Sequence, residues 1–444
     1  MLQKKDFLIK TLGKPTIISP IEFSTTRGDG IVNFIEDNVT IPYSIQSDCR
    51  PSVRELAFES AGPRKMIFFP PEEVVAGIMT CGGLCPGLND AIRSIVMQLY
   101  YKYGVSQILG IQYGQKGLDP SFKHPPRPLT PDGVKNIHLR GGSVLGTSRG
   151  RVDTDLMVDT LEKHGINTLF CLGGDGTQKG LHDIYRVIQE RGLKIAVVGV
   201  PKTIDNDISY VYRTFGVDTA VTVARQAVRA AHSEAVSAYN AIGLVKVMGR
   251  ESGFIAALTT IAANDVNLCL IPEVPFTLEG EDGVLDILEK RILRKHYAVM
   301  VVAEGAGQEI MRQDKSALTY DASGNVRLGD VGFFLKNTII EHFKEKGLHI
   351  DLKYIDPSYT IRSVPANADD SMYAASLGRC AVDAALAGKT DLLIGYWHNY
   401  FTHVPLELAV SKRKQVDPEG ELWREVLSTT GQPVKLTPPT AGLI

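Results

Sequence analysis

Short apolar runs alternate with segments of helical periodicity along most of this chain. The runs 74–80, 166–172 and 241–247 are each rich in Val, Ile or Leu, as buried strands are. Segment 88–99 instead repeats its apolar residues every three or four positions, which predicts a helix with one apolar face. Alternating strands and helices are typical of parallel sheets covered on both faces. We therefore predict an α/β fold, with strands enough for two Rossmann-like three-layer domains built on parallel sheets.

The first 73 residues have a different character. They contain seven prolines and show no sustained periodicity. Proline fixes φ and lacks a backbone N–H, so long helices and central strands are disfavoured there. We expect residues 1–73 to form an irregular N-terminal extension that wraps over the main body, not an independent domain.

Composition restricts the class of protein. The chain has 444 residues and a formal net charge of -2, with 44% hydrophobic and 22% charged residues, as in ordinary globular proteins. It has no Lys/Arg stripe with interleaved aromatic residues, so we expect no nucleic acid partner. It has no apolar stretch long enough to span a bilayer, so we expect no membrane partner. The N-terminus lacks the apolar segment of a secretory signal, which favours a cytoplasmic location.

Six cysteines are scattered along the chain, in a pattern unlike a disulfide framework. Cys81 and Cys85 have a spacing that zinc accepts, but no second pair of Cys or His follows at a suitable spacing. We therefore expect neither a disulfide framework nor a zinc site.

The densest polar cluster, residues 202–207, follows the apolar run 194–198 and the Gly-Val-Pro that ends it. A Val- and Ile-rich run that ends in Gly and Pro predicts a buried strand that stops there. In open α/β sheets, ligands bind at the carboxyl ends of the strands. Lys202, Asp205 and Asp207 are therefore candidate functional residues. The alternative is a solvated loop in which Asp and Asn make side-chain turns.

Glycine-rich loops follow two other predicted strands. Residues 81–87 precede the predicted helix 88–99, and residues 173–177 precede a second helical segment. Glycines let a backbone approach a ligand closely, and a helix N-terminus favours phosphate. Neither loop matches the common dinucleotide or P-loop fingerprints. Asp175 in the second loop suits a hydrated Mg²⁺ that also binds phosphate oxygens, and a helix-capping role is the alternative.

Three further segments carry polar groups. Segment 139–151 joins four glycines to Arg149 and Arg151, whose guanidinium groups suit phosphate, and an exposed flexible loop is the alternative. A later strand leads into Met-Gly-Arg at 248–250, and another ends at Glu273. At least five successive strand ends thus carry Gly, Asp, Arg or Glu, which indicates one shared ligand site.

Four motifs, in this order and after the loop 81–87, resemble the 6-phosphofructokinase family: Gly173–Thr177, Pro201–Asp207, Met248–Arg250 and Pro272–Glu273. The resemblance covers roughly residues 74–430. The Thr-Ile-Asp-Asn-Asp and Met-Gly-Arg elements are highly specific. Lipid kinases and NAD kinases resemble the family at the Gly-Gly-Asp-Gly-Thr element but lack the Thr-Ile-Asp-Asn-Asp segment.

The resemblance implies transfer of the γ-phosphoryl group of MgATP to the 1-hydroxyl of fructose 6-phosphate. Asp205 would accept the proton of that hydroxyl, Arg149 and Arg250 would complete the catalytic set, and Asp175 would hold Mg²⁺. The nucleotide site would consist of Gly82, Arg149, Gly150, Gly174, Asp175, Gly176, Thr177 and Lys202. The fructose 6-phosphate site would consist of Thr203, Ile204, Asp205, Met248, Gly249, Arg250, Glu273, Tyr359, Thr360, Ile361 and Arg362, with Arg362 on the 6-phosphate.

The family also implies a domain plan. Residues 74–215, completed by about 362–410, would bind the nucleotide. Residues 216–361, completed by about 411–430, would bind fructose 6-phosphate. A homotetramer under allosteric control would be expected. Ala241, however, stands where bacterial relatives place a substrate-contacting Arg from the neighbouring subunit, which puts their inter-subunit site and allosteric scheme in doubt for this chain.

Two positions bear on the phosphoryl donor. Diphosphate users of the family carry Asp directly after the residue equivalent to Asp175, whereas most ATP users carry Gly, as here at Gly176. Without a side chain, Gly176 leaves room for the α-phosphate and nucleoside. Lys202 is typical of diphosphate users, but a cation there can touch a phosphate of either donor. This combination and the long N-terminal extension resemble the ATP-dependent enzymes of plants and trypanosomatids, and a diphosphate-dependent enzyme is the alternative.

Two other classes are disfavoured. A Rossmann-type dehydrogenase would need a GxGxxG motif followed by an acidic residue, and no unit opens with one. A catalytically inactive paralogue would be expected to have lost Asp205 or Asp175, and both are present.

Overall fold

The computed structural model describes residues 2–46, 53, 55–150, 152–311, 319–320 and 326–437. Arg151, an arginine of the third glycine loop, lies outside these residues, as does Cys49. The chain divides into two compact units. The first comprises Met1–Thr203, Ile208–Gly216 and Ser363–Arg413, and the second comprises Ile204–Asp207, Val217–Arg362 and Lys414–Ile444.

Strands and helices alternate through both units. The strands within the described residues are β1 (Lys10–Thr11), β2 (Ile17–Ile18), β3 (Thr40–Pro42), β4 (Ala57–Ser60), β5 (Met66–Ile67), β6 (Val75–Thr80), β7 (Gln107–Ile111), β8 (Arg127–Pro128), β9 (Thr168–Gly173), β10 (Ala196–Pro201), β11 (Ala241–Val247), β12 (Leu268–Leu270), β13 (Tyr297–Ala303), β14 (Asp351–Ile355), β15 (Lys389–Thr390), β16 (Leu392–Trp397) and β17 (Tyr400–Pro405). The helices are α1 (Leu88–Met97), α2 (Pro131–Val134), α3 (Thr154–Lys163), α4 (Asp175–Glu190), α5 (Val217–Ser237), α6 (Phe254–Ala263), α7 (Val284–Lys295), α8 (Gln308–Met311), α9 (Val331–Glu345), α10 (Ser358–Ser363), α11 (Ala368–Leu386), α12 (Leu406–Ala409) and α13 (Glu421–Thr430).

The described part of the first unit is built on a nine-stranded sheet in the order β3-β4-β17-β16-β10-β9-β6-β7-β8. Its centre, from β16 to β7, is parallel. Every residue of β9 and β10 is buried, which explains why both strands are continuous apolar runs. The helices α1 and α11 pack closely at Gly378 of α11, which has no side chain. A Cβ there would lie only 3.0 Å from the carbonyl oxygen of Ala91 in α1.

The edges of this sheet differ from the prediction of purely parallel sheets. At one edge β8 is antiparallel to β7, and at the other β17, β4 and β3 are successively antiparallel. The turn between β16 and β17 explains the reversal, since His398 and Asn399 both have positive φ, at 47° and 67°. Two such residues form the tight turn that joins antiparallel strands. The predicted α/β class is confirmed, with mixed pairing at the edges of the larger sheet.

The N-terminal residues belong to the first unit. The strands β3 and β4 extend the large sheet, and β1 pairs with β15. A further small sheet joins β2 to β5 within the N-terminal residues themselves.

The second unit contains a four-stranded parallel sheet in the order β12-β13-β11-β14. Its core includes Leu288 and Ile292 of α7 and Leu335 and Ile339 of α9. No helix in the described part of the chain is both long enough and apolar enough to cross a membrane.

Candidate active site

The ends of β9 and β10 lie side by side in the first unit, with Gly173 opposite Pro201. The backbone N–H of Lys202 donates to the carbonyl oxygen of Gly173 over 3.0 Å. The side-chain Nε2 of Gln178 donates to the same oxygen over 2.9 Å and to the carbonyl oxygen of Val200 over 3.3 Å. The predicted glycine loop 173–177, whose first residue ends β9, and the polar segment from Lys202 therefore start together at one sheet edge.

The glycine loop 81–87, the first of the three glycine loops, lies beside the ends of β9 and β10. Lys202 is buried, and its Nζ donates to the carbonyl oxygen of Gly83 over 2.8 Å. Gly82 has φ of +82°, a conformation that favours glycine, and a Cβ there would lie 3.2 Å from that Nζ, which is a tight contact. The N–H of Gly82 donates to the carbonyl oxygen of Ser148 over 3.3 Å, next to Arg149 in the third loop. The structure thus brings together the three loops that the sequence identified separately.

Asp175 is the first residue of α4, and Gly174 is its N-cap, so Asp175 does not take the N-cap position considered from the sequence. Its buried carboxylate lies at the positive end of a helix dipole, where negative charge is stabilised. Two cations lie beside Oδ2: Lys179 Nζ at 3.1 Å and Arg413 Nε at 3.5 Å. The two cations and the helix start together outweigh the single charge of Asp175, which suits an additional anion.

The neighbours of Asp175 leave space beside the helix start. A Cβ on Gly176 would meet no atom within 4 Å, so protein atoms do not fill the volume next to it. The N–H of Thr177 donates to the carbonyl oxygen of Gly174 over 2.9 Å and closes the first helical turn. In the third loop, Gly150 has φ of +109°, and Arg149 is exposed.

The second unit holds the loop Ile204–Asp207, which contains the candidate base Asp205. The hydroxyl of Ser252 donates to the carbonyl oxygen of Asp205 over 3.0 Å, and the N–H of Lys414 donates to that of Asp207 over 3.0 Å. Asn206 between them has φ of +56°, a conformation that Asn tolerates. Burial lowers the pKa of Lys414 to about 7, although the nearby Asp207 raises it.

The Met248–Arg250 loop follows β11 and packs against the residues after β13. The N–H of Glu304 donates to the carbonyl oxygen of Val247 over 2.9 Å, and the N–H of Gly305 donates to the carbonyl oxygen of Gly249 over 3.0 Å. Gly249 has φ of +130°, and a Cβ there would lie 2.5 Å from the carbonyl oxygen of Ser252. This backbone path requires glycine, and it fixes the start of the Arg250 side chain, which donates to the carbonyl oxygen of Val326.

Glu273 uses one carboxylate oxygen for structure. Its Oε1 accepts from the N–H of Gly253 over 2.9 Å and from the N–H of Val416 over 2.8 Å. Its Oε2 is buried and has no hydrogen-bond partner among the described residues. Burial raises the pKa of Glu273, and the two backbone hydrogen bonds oppose that rise. The second oxygen is thus a buried acceptor whose hydrogen-bonding capacity is unused within the described residues.

The remaining predicted sugar-phosphate residues have differing surroundings. Arg362 on α10 stacks over the ring of Tyr359 at 4.7 Å, and Tyr359 and Thr360 are exposed. Ile361 is fully buried and Ile204 is almost so, which limits any ligand contact of these two residues to the backbone. Their side chains belong to the core.

A family model described as phosphofructokinase matches residues 75–385, more than half of the chain. The chain belongs to the phosphofructokinase family. The family resemblance drawn from the four motifs is therefore confirmed.

Several relatives match over most of their length. A Borreliella burgdorferi protein named ATP-dependent 6-phosphofructokinase is 49% identical over 97% of this chain and 98% of its own length. ATP-dependent 6-phosphofructokinase 7 of Arabidopsis thaliana is 44% identical over 96% of this chain and 87% of its own. The Trypanosoma brucei brucei protein named ATP-dependent 6-phosphofructokinase is 46% identical over 85% of this chain and 77% of its own. The likeness to plant and trypanosomatid members is confirmed.

A solved structure supports the fold. The crystal structure of the pyrophosphate-dependent phosphofructokinase from Marinobacter aquaeolei matches with a TM-score of 0.65, covering 83% of this chain and 95% of that chain. The two sequences are 20% identical, so this match concerns the fold alone.

Sequence reasoning missed two of the cationic groups near the candidate site residues. Lys179 stands four residues after Asp175 on α4, and this spacing puts the two side chains on one helix face, so the signal was present. Arg413 comes from a segment 238 residues further along the chain, and only the fold reveals its contact with Asp175.

Proposed function

We propose that this protein is an ATP-dependent 6-phosphofructokinase that transfers the γ-phosphoryl group of MgATP to the 1-hydroxyl of fructose 6-phosphate. The observation that carries the proposal is the near full-length identity of 44 to 49% to relatives named for the ATP-dependent activity. Open space beside Gly176 favours ATP over the diphosphate alternative, because the larger donor must place its α-phosphate and nucleoside near that position.

The phosphate groups of the nucleotide would lie at the start of α4. Backbone N–H groups at that helix start, together with Lys202 and Arg149, would stabilise the charge on the transferred group. Lys202 is held in place by its bond to Gly83, so it is preorganised for this task. Phosphoryl transfer depends mainly on such positioning and charge neutralisation.

Mg²⁺ fits the residues present. No group of three or more His, Cys, Asp or Glu side chains within the described residues is arranged to hold a metal. Mg²⁺ is commonly bound by one or two carboxylates with the rest of its shell from water and substrate phosphates. Asp175 would supply that carboxylate, and the bound ion would neutralise phosphate charge.

The acceptor sugar would be held by the second unit. Glu273 Oε2 would accept a sugar hydroxyl, and Arg250 and Arg362 would bind phosphate oxygens. Asp205 would take the proton of the 1-hydroxyl as that oxygen attacks phosphorus. Its backbone oxygen is fixed by Ser252, which limits the motion of the carboxylate. We propose that the two sets of residues serve one reaction, consistent with Lys202 and Asp205 standing three residues apart.

A donor comparison tests the function. Purified protein is assayed for fructose 1,6-bisphosphate formation from fructose 6-phosphate with either MgATP or magnesium diphosphate. We expect turnover with ATP and at most a small fraction of it with diphosphate. Turnover with diphosphate and none with ATP would instead establish a diphosphate-dependent enzyme.

The assembly and location are further parts of the proposal. The family likeness supports a homotetramer under allosteric control, and light scattering on purified protein tests the tetramer directly. The cytoplasmic location expected from the sequence stays a prediction, which imaging of the tagged protein in its own cells would test.

A further inference from the structure

A cavity of about 390 Å³ lies in the first unit, against the N-terminal residues. It is lined by Thr11, Gly13, Lys14, Pro15, Asp37, Arg64, Met66, Ala387 and Lys389. None of these residues belongs to the candidate active site. The volume is within the lower range of small-molecule sites, which runs from about 300 to 1,000 Å³.

Two buried cations form one wall of this cavity. The side chains of Arg64 and Lys389 are only 4% and 7% exposed. Buried cations are costly unless hydrogen-bonded anions compensate them. Both cations contact Glu59 Oε1, at 2.9 Å from Arg64 Nη2 and 2.7 Å from Lys389 Nζ. Glu59 therefore compensates one of the two positive charges from behind the wall.

Asp37 compensates the second charge from the open side. Its Oδ1 lies 2.9 Å from Arg64 Nε and 3.0 Å from Lys389 Nζ, yet its side chain is 70% exposed. One carboxylate oxygen of the protein thus occupies a point between two buried cations at the cavity wall. An external anion that took this place would leave the buried charges balanced, and Asp37 could turn to solvent.

A histidine behind the wall adds no positive charge at neutral pH. Burial lowers the pKa of His403 to about 4, despite its hydrogen bond to Glu59. Its Nδ1 lies 2.9 Å from Glu59 Oε1, so the neutral ring serves as a hydrogen-bond donor to that carboxylate. With the exposed Lys14 included, the cluster holds three cations, Arg64, Lys389 and Lys14, against two carboxylates, Asp37 and Glu59.

We propose that this cavity binds a small phosphate monoester, whose phosphate takes the place of the Asp37 carboxylate between Arg64 and Lys389. Guanidinium and ammonium groups both suit phosphate oxygens, and Lys14 adds a third cation at the rim. A dianionic phosphate competes well with the single charge of Asp37. The cavity is larger than inorganic phosphate needs, and Met66, Pro15 and Ala387 offer apolar surface to the carbon part of an ester.

Two substitutions with opposite expected effects test the proposal. Binding of glycerol 3-phosphate and of inorganic phosphate is measured by calorimetry on the full chain. Lys14→Met removes a rim cation and should weaken binding of the ester about tenfold, the value of one charged hydrogen bond. Asp37→Asn removes the competing charge and should strengthen it. Lys14 is exposed, so Lys14→Met should fold normally. Asp37→Asn leaves Glu59 as the one carboxylate beside two buried cations and should lower the free energy of unfolding, so circular dichroism first checks that this variant is folded, and Lys14→Met tests the site independently of it.

Controls separate this cavity from the candidate active site. Lys5→Met changes another exposed N-terminal lysine outside the cavity and should leave binding unchanged. Arg362→Ala should remove phosphate binding at the sugar-phosphate position but not the component sensitive to Lys14. Equal affinities in the wild type, Lys14→Met and Asp37→Asn would overturn the site. Equal affinity for inorganic phosphate and the ester would overturn the assignment to an ester.

Discussion

The two carboxylate oxygens of Glu273 have different surroundings, and the roles proposed for them are a structural one for Oε1 and a ligand-binding one for Oε2. Its Oε1 accepts two backbone N–H groups, while its Oε2 has no partner among the described residues. The substitution Glu273→Ala removes both functions. In Glu273→Gln the amide oxygen can take the place of Oε1 and accept the same two N–H groups. The amide NH₂ group then stands where Oε2 was, so a hydrogen-bond donor replaces an acceptor. The pair of variants therefore distinguishes stability from substrate affinity.

The magnitudes follow from these contacts. Each hydrogen bond to a charged acceptor contributes about 1.5 to 3 kcal/mol, so Glu273→Ala should lower the free energy of unfolding by roughly 2 to 4 kcal/mol after partial rehydration. Glu273→Gln should change it by less than about 1 kcal/mol at neutral pH, because both bonds persist and the raised pKa means that the lost charge did not favour the folded state. Loss of one charged hydrogen bond to a sugar hydroxyl should raise KM for fructose 6-phosphate about tenfold in both variants.

Urea denaturation followed by circular dichroism measures the first quantity, and steady-state kinetics at saturating MgATP measures the second. Glu279→Gln, an exposed carboxylate of the same unit, is the matched control and should change neither. If Glu273→Gln left KM for fructose 6-phosphate unchanged, Oε2 would not be a sugar ligand. If it destabilised the protein as much as Glu273→Ala, the geometric account of Oε1 would be wrong.

The raised pKa of Glu273 adds a pH dependence. Burial is the main cause of the rise above the ordinary value of 4.5. A raised pKa means that the folded state binds the carboxyl proton more tightly than the unfolded state does. This group therefore contributes most to stability at a pH below its unfolded-state pKa, and the contribution is lost as the pH rises through its folded-state pKa. The stability advantage of wild type over Glu273→Gln should therefore be largest near pH 4 and decline toward neutral pH.

Three further predictions concern the catalytic groups. Asp205→Ala should reduce kcat by about 10² to 10⁴ with nucleotide affinity nearly intact, and unchanged kcat would remove Asp205 from its role as base. Gly176→Asp should fold normally, because nothing lies within 4 Å of its Cβ, yet lose ATP turnover selectively; full ATP activity would defeat the steric account. Arg413→Gln should weaken MgATP binding about tenfold by removing a cation beside Asp175, whereas Lys179→Gln, at a more exposed cation, should have a smaller effect in the same titration.

The strands that carry the candidate site were predictable because they are buried on both faces. A strand such as β10 cannot alternate polar and apolar residues, so it appears in the sequence as a continuous apolar run. Polar residues at its end then stand out by contrast. The bounds also agree closely, since the run predicted at 74–80 forms the strand Val75–Thr80.

The sheet edges were not predictable by the same reasoning. The strands β3 and β4 are three and four residues long and lie in a Pro-containing, aperiodic region. β4 pairs with the edge of β17, more than 340 residues away in the case of His403 and Glu59, and β3 then pairs with β4. Pairing over such separations depends on the completed sheet, and local sequence patterns carry no record of it.

The positive charge of Arg413 beside Asp175 likewise could not be predicted from the motif that contains Asp175. The Gly-Gly-Asp-Gly-Thr element predicted the carboxylate and its loop, and the structure places that carboxylate at a helix start, where the dipole already favours negative charge. A second anion beside it, such as a phosphate, requires additional positive charge. Arg413 supplies it from the last segment of the first unit, after the chain has returned from the second. The proposed phosphate binding at this position would therefore depend on the discontinuous unit, because the motif contributes the negative charge and the returning segment contributes part of its compensation.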